Sequence, residues 1–274
     1  MPIDFEDKFS RYLTDYIKEN EIDEDELDDI AEVLYFDWMD EPKDWLDGKS
    51  PNTYFDSFSA SSLVELLGKY VFSGLSIPAP LLNRIEDTKE ETYPFLISLL
   101  MNYEGEKSGE LKDVIVQLID EMHMSHPYDY YIEVISEAAE ASDFPESCVQ
   151  ELKNTGDTYK EKIISAYENA QSDYSSDCFL DILSDLPYDE RTYNYVLERF
   201  LYGDRLKAFY ASCLGKLGNS DALPYLEQAL KDEGLMYYDY ISIRDALEEL
   251  GGEVSIERDF TGDSDYESLK NLED

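Results

Sequence analysis

Residues 207–252 read KAFYASCLGKLGNSDALPYLEQALKDEGLMYYDYISIRDALEELGG, and this run decides the fold. Leu214-Gly215-Lys216-Leu217-Gly218-Asn219 returns 33 residues later as Leu247-Glu248-Glu249-Leu250-Gly251-Gly252. Each copy closes an apolar pattern that recurs every three and four residues, the spacing of a helix with one buried face. Gly218 and Gly251 then stand where the chain must turn, and glycine alone takes a positive φ there without a steric cost. Ala208, Ala211, Cys213, Ala222, Ala229 and Ala246 are small enough to let neighbouring helices approach closely. Leu214, Leu217, Leu223, Leu226, Leu230, Ile243, Leu247 and Leu250 fill the space between layers. Pro224 falls in a first helical turn, where its missing N–H is tolerated, and Asp221 is the expected N-cap or first-turn acid. Arg244, flanked by acids, is expected to form an intramolecular ion pair.

Outward from this run the same periodicity continues. It predicts helices over 4–20, 23–39, 61–72, 80–85, 89–102, 109–122, 128–141, 145–154, 157–170, 176–186, 189–202, 205–217, 221–232 and 238–250. The connections are short and carry Gly, Pro, Asn or Ser-Asp, as antiparallel helix hairpins require. No alternating pattern of strand type runs beyond about four residues. The expected class is all-α.

The 207–252 run resembles the bacterial HEAT-repeat family, in which a helix ending in an L-x-x-L-G turn is followed by a short polar link and an A-L-P-x-L-x-x-A-L helix. The resemblance implies an α-solenoid of stacked antiparallel helix hairpins whose concave surface grips other macromolecules, usually proteins. Upstream the L-G turn is absent and the helix spacing is irregular, as nearest-neighbour stacking permits. The expected organisation is therefore a divergent N-terminal helical cap over 1–75, HEAT-like repeats over 76–252 and an acidic tail over 253–274.

Charge is the outlying property; its plain reading is solubility or a salt-adapted host, and its sharper one is attraction to a basic protein or imitation of a nucleic acid's charge. Asp and Glu number 64 against 22 Lys and Arg, a net charge of −42. Seven acids fall between Glu21 and Asp29. A surface of this sign repels nucleic acid and anionic membranes, so direct binding to either is not expected. No run of about 18 apolar residues exists to span a membrane. The acidic start, from Ile3 to Asp7, lacks the cationic and apolar stretches of a secretion signal. Three widely spaced cysteines, Cys148, Cys178 and Cys213, fit buried thiols in a reducing cytoplasm better than a disulfide framework.

Catalytic and metal signatures are weak. With 64 acids no carboxylate pair is informative, and the chain has no nucleophile elbow, phosphate-cradling loop or dinucleotide fingerprint. Glu121, His123 and His126 form the one local group that includes both histidines, but Pro127 ends their helix, and a zinc site would need at least a third ligand at fixed geometry, from Glu121 or a distant acid. The acids between Asp259 and Glu267 do not follow the order of a calcium loop. No enzyme activity, cofactor or metal is expected. The 23 tyrosines cluster at Tyr128, Tyr130 and Tyr131 and again at Tyr237, Tyr238 and Tyr240. Together with Trp45, these are the expected partner-contacting residues, since Tyr and Trp offer large contact area at low entropic cost. The expected function is a non-enzymatic scaffold gripping a protein partner, basic in character, on an acidic concave face. The alternative is an acidic inhibitor or immunity protein that neutralises a basic nucleic-acid-binding protein by presenting charge in place of phosphate.

Overall fold

A computed structural model describes residues 2–22, 24–203, 206–254 and 258–273. The described residues form helices and turns with no strand; one isolated antiparallel pairing joins Lys43 and Lys49. They divide into two compact units, Met1–Pro127 and Tyr128–Asp274. The expected boundary at residue 75 falls inside the first of these.

The first unit holds α1 (Phe5–Asn20), α2 (Glu24–Asp40), α3 (Ala60–Ser73), α4 (Ala79–Asp87), α5 (Lys89–Asn102) and α6 (Ser108–Glu121). Asp4 caps α1 by accepting the Asp7 N–H at 2.8 Å, and Ser59 caps α3 through the Ser62 N–H. α3 packs on α4, α5 and α6, so residues on both sides of position 75 share one core. That core includes Leu63, Leu67, Tyr70, Leu96, Leu100 and Ile115. The Tyr70 hydroxyl donates to the Ile3 carbonyl at 2.8 Å, pinning the start of the chain to α3. Burial pushes the Tyr70 phenol up to about 12.

The second unit holds α7 (Tyr128–Glu137), α8 (Asp143–Lys153), α9 (Lys160–Glu168), α10 (Asp173–Asp185), α11 (Glu190–Tyr202) and α12 (Lys207–Leu217). After it come α13 (Leu223–Ala229), α14 (Tyr237–Glu249) and α15 (Ser264–Glu273). α8 packs on α10, α10 on α12 and α12 on α14, while α7, α9, α11 and α13 lie against α8, α10, α12 and α14 respectively. α12 and α14 pack closely where the small residues Gly215 and Ala246 meet. A Cβ at Gly215 would stand 3.3 Å from the Ala246 Cα, so glycine is what lets the two backbones approach. Gly218 ends α12 at φ 70° and Gly251 follows α14 at φ 85°, both in the left-handed region.

Polar ties fix the register of the row. The Tyr210 hydroxyl donates to Asp177 at 2.6 Å. Lys153 on α8 and Lys216 on α12 both reach Asp181 and Asp185 on α10, at 2.7 to 3.3 Å, so two cations join three helices through two carboxylates. Cys148 and Cys213 are buried and all three cysteines are free thiols. Burial raises Cys213 to about 12 and keeps it protonated.

Two local expectations change. The helix expected over 221–232 is a 3-10 turn, Ser220–Ala222, leading into a shorter α13. Its cap is Asn219, whose side-chain oxygen accepts the Asp221 N–H at 3.0 Å, and Asp221 stands in the first turn, the second of the two places expected for it. The region expected as an acidic tail over 253–274 contains α15, which packs on α14.

Candidate functional site

The two tyrosine clusters lie on α7 and α14, and each turns only part of its rings outward. On α7, Tyr131 is fully buried, on the same stripe as Ile135. Tyr128 is half-buried, one turn earlier on that stripe, against Tyr131 at 6.1 Å and Tyr159 at 5.0 Å. Tyr130 packs on Phe144 at 6.2 Å. Tyr131 is therefore a core residue and not a partner contact. The reason is spacing: three and four residues separate Tyr128, Tyr131 and Ile135, so all face α8 and its neighbours.

On α14, Tyr240 is buried and likewise withdrawn from the expected surface. Tyr237 is half-buried, with its ring 5.2 Å from Phe260 and 5.2 Å from Tyr266. Tyr238 alone of the three is well exposed, at 50%. The covering groups come from the C-terminal segment. Arg258 lies over the rings of Phe260 at 5.2 Å and Tyr240 at 6.0 Å, in cation–π contact, and donates to the carbonyls of Asp232 and Glu233. Asp263 accepts the Tyr237 N–H at 3.0 Å with one oxygen and the Asp265 and Tyr266 N–H groups, at 3.0 and 3.3 Å, with the other. Desolvation would raise its pKa, but these three hydrogen bonds together hold it below the usual carboxylate range.

Between α14 and this segment lies a cleft of about 480 Å³ lined by Tyr237, Tyr240, Arg244, Glu248, Arg258 and Phe260, among others. Arg244 pairs with Asp245 at 2.8 Å and Glu248 at 3.9 Å, as its acidic flanks suggested. The hydrogen bond Arg244 donates to the Asp245 carboxylate is the main reason its pKa is raised. The cleft thus offers fixed charges and aromatic faces, groups suited to binding.

Trp45 sits in a 3-10 turn, Asp44–Leu46, closed by the Lys43–Lys49 pairing. It is 42% exposed, yet one face packs on Phe5 at 6.0 Å and Trp38 at 6.3 Å, with the Lys8 ammonium 5.3 Å from its ring centre. Trp45 belongs to the first compact unit and the two tyrosine clusters to the second. His123 is exposed at φ 53°, whereas His126 is buried, and burial lowers its pKa. The acids of the 259–267 stretch serve backbone N–H groups: Asp259 accepts from Thr261, and Glu267 accepts from Gly262.

Other exposed rings were missed by looking for clusters. Tyr202 is 82% exposed beside exposed Glu198, and Tyr188 and Tyr225 also face solvent. Tyr202 lies two residues past Phe200 on a helix whose buried stripe is Thr192, Tyr193, Val196 and Phe200. That displacement of about 200° around the helix was a readable signal. In the first unit, Val33 at 60% and Phe36 at 59% are exposed on α2. Among the described residues no helix is long and apolar enough to cross a membrane. Comparison with protein families, curated proteins and solved structures found no match for the chain.

Proposed function

We propose that the chain is a non-enzymatic protein-binding scaffold of HEAT-like α-solenoid type, acting in the cytoplasm on a basic protein partner. The observation that carries this reading is the set of large rings standing in solvent among carboxylates: Tyr188, Tyr202, Tyr225 and Tyr238, beside exposed Glu190, Glu198, Asp221 and Glu227. Such rings supply contact area and the acids steer a cationic surface toward them. The row of α8, α10, α12 and α14, each with a second helix against it, supports the repeat architecture. Its concave side is the expected seat of the partner. Tyr131 and Tyr240 drop out of the contact set, and Tyr188, Tyr202 and Tyr225 join it.

Capture of basic proteins on the immobilised chain at about 0.1 and 0.5 M salt tests the proposal. At the higher salt the screening length is about 4 Å, so surviving attachment must rest on packed contacts. The scaffold reading expects attachment that persists at high salt and drops with Tyr202→Ser and Tyr238→Ser. No attachment, or attachment indifferent to both substitutions, overturns it. The second reading, an inhibitor that imitates phosphate charge, is favoured by one observation: residues 1–42 hold 16 acids and only three basic residues. It expects attachment that fails at 0.5 M salt and is displaced by duplex DNA.

A further inference from the structure

The first unit has a second cleft, of about 500 Å³, between α1, α2 and the connection from α3 to α4. Its apolar lining is Phe5, Phe9, Tyr35, Met39, Ile77 and Pro78. Phe5 and Met39 form a buried floor, whereas Tyr35, Ser76 and Ala79 are exposed along the rim. The walls are left open because α1 buries only Phe5 from a stripe that also holds Phe9, Tyr12, Leu13, Tyr16 and Ile17. From the Tyr35 ring, 5.0 Å from Phe9, the apolar surface runs on to Phe36, whose ring is 6.1 Å away. Phe36, 59% exposed and in ring contact with Tyr35 at the rim, extends this unfilled apolar cleft into a patch of the kind that marks a binding surface.

The charge around it selects the occupant. Glu6 lines the cleft, and Ser10 adds a hydroxyl to its edge. Glu32, Asp37, Asp40 and Glu41 are exposed on or just after α2. The few nearby cations are already engaged. Arg11 pairs with Asp7 at 2.9 Å, Lys43 pairs with Glu41 and lies over Tyr12 and Trp38, and Lys8 lies over Trp45. A nucleic acid or an anionic membrane meets only like charge here. An acidic peptide does too.

We propose that this cleft is the docking site for a basic amphipathic segment of a partner protein, which seats one or two large apolar side chains against Tyr35, Phe36 and Met39 while its Lys and Arg side chains face the surrounding acids. Methionine on the floor suits such a seat because its unbranched thioether adapts to different shapes. An amphipathic helix laid in an apolar groove with i, i+3, i+4 anchors is a recurrent way to bind such a surface. The proposal rests on the scaffold reading and names the partner's chemistry at a different surface from the exposed tyrosines of the second unit.

The experiment uses the full chain and three synthetic peptides read by fluorescence anisotropy at about 0.15 M salt. One is a Lys-rich amphipathic helix with Leu and Trp on one face, the second carries the same charge with those residues changed to Ser, and the third replaces Lys by Glu. The first should bind saturably, at least about tenfold tighter than the second, and the third should not bind. Phe36→Ser and Tyr35→Ser should each weaken the first peptide about tenfold with circular dichroism unchanged. Tyr202→Ser should leave this binding unchanged. Equal binding of the first two peptides, no saturable binding, or indifference to both α2 substitutions overturns the site. Self-association abolished by Phe36→Ser, or binding to vesicles of zwitterionic lipid, overturns it by naming another occupant. If the peptides fail while Tyr202→Ser still abolishes partner capture, the docking site falls and the scaffold reading stands.

Discussion

The α12–α14 pair and the α1–α2 pair are both made of amphipathic helices, yet they treat their apolar faces in opposite ways. Between α12 and α14 the facing residues are Ala211, Leu214, Gly215, Ile243, Ala246 and Leu247, and the named side chains are buried to within a percent of complete. Between α1 and α2 the facing residues are Phe9, Tyr12, Tyr35 and Trp38, large rings in tilted and edge contacts at 5.0 to 6.5 Å. Small side chains let helices close upon each other; large rings hold them apart and leave edges in solvent. Closed pairs hold the fold, and the open pair is where apolar surface is left for something else to cover. The difference teaches that in a chain this acidic, aromatic content says little about function until exposure is known.

Breaking the closed pair should give the largest effect. Leu214→Ala empties a fully buried site and is expected to cost about 3 kcal/mol, seen as a lower urea midpoint at constant slope. The next effect comes through pH, from Cys213 on α12 and Tyr70 on α3. The folded pKa of Cys213 is raised above its ordinary 9.0, and that of Tyr70 above 10.0, each to about 12. A raised folded pKa means this stabilisation is whole below the unfolded value and is lost as pH climbs through the folded one. The urea midpoint should therefore fall progressively between about pH 9 and 12, and Cys213→Ala with Tyr70→Phe should flatten that fall. Lys216→Ala removes a partly exposed ammonium while Lys153 still serves Asp181 and Asp185. Its expected cost is below about 1 kcal/mol, shrinking with added salt. On the open pair, Phe36→Ser should change stability by no more than about 0.5 kcal/mol. A loss comparable to Leu214→Ala would show that α2 is closed against the first unit after all, and the contrast would collapse.

Much of the α12–α14 arrangement was legible in residues 207–252. Positive φ at Gly218 and Gly251, small residues at the close approach and leucines between layers all follow from local spacing. The outward tyrosines were not legible from clustering. Tyr131 could be assigned inward from its distance to Tyr128 and Ile135. Tyr240 could be assigned inward in the same way, from its distance to Ile243 and Leu247; its cover by Phe260 and Arg258, from a segment about twenty residues away, could not. By composition that segment reads as an acidic tail, but its acids accept from backbone N–H groups, a use that composition does not reveal. Deciding that Asp221 is the first-turn acid and Asn219 the cap needed the 3-10 turn, one residue earlier than the helix pattern suggests. The opening at Tyr35 and Phe36 was hidden for a related reason: an apolar stripe in a sequence does not say whether anything lies against it.

Asp263 accepts hydrogen bonds at the first turns of both α14 and α15. Two helix starts therefore hang on a single proton. Because its pKa is held low in the folded chain, acidification must fill that carboxylate only at the bottom of the carboxylate range, and both turns then lose their acceptor in one event. Amide exchange at Tyr237 and Tyr266 should accelerate together, with the same apparent midpoint, although the two residues are 29 positions apart in the chain.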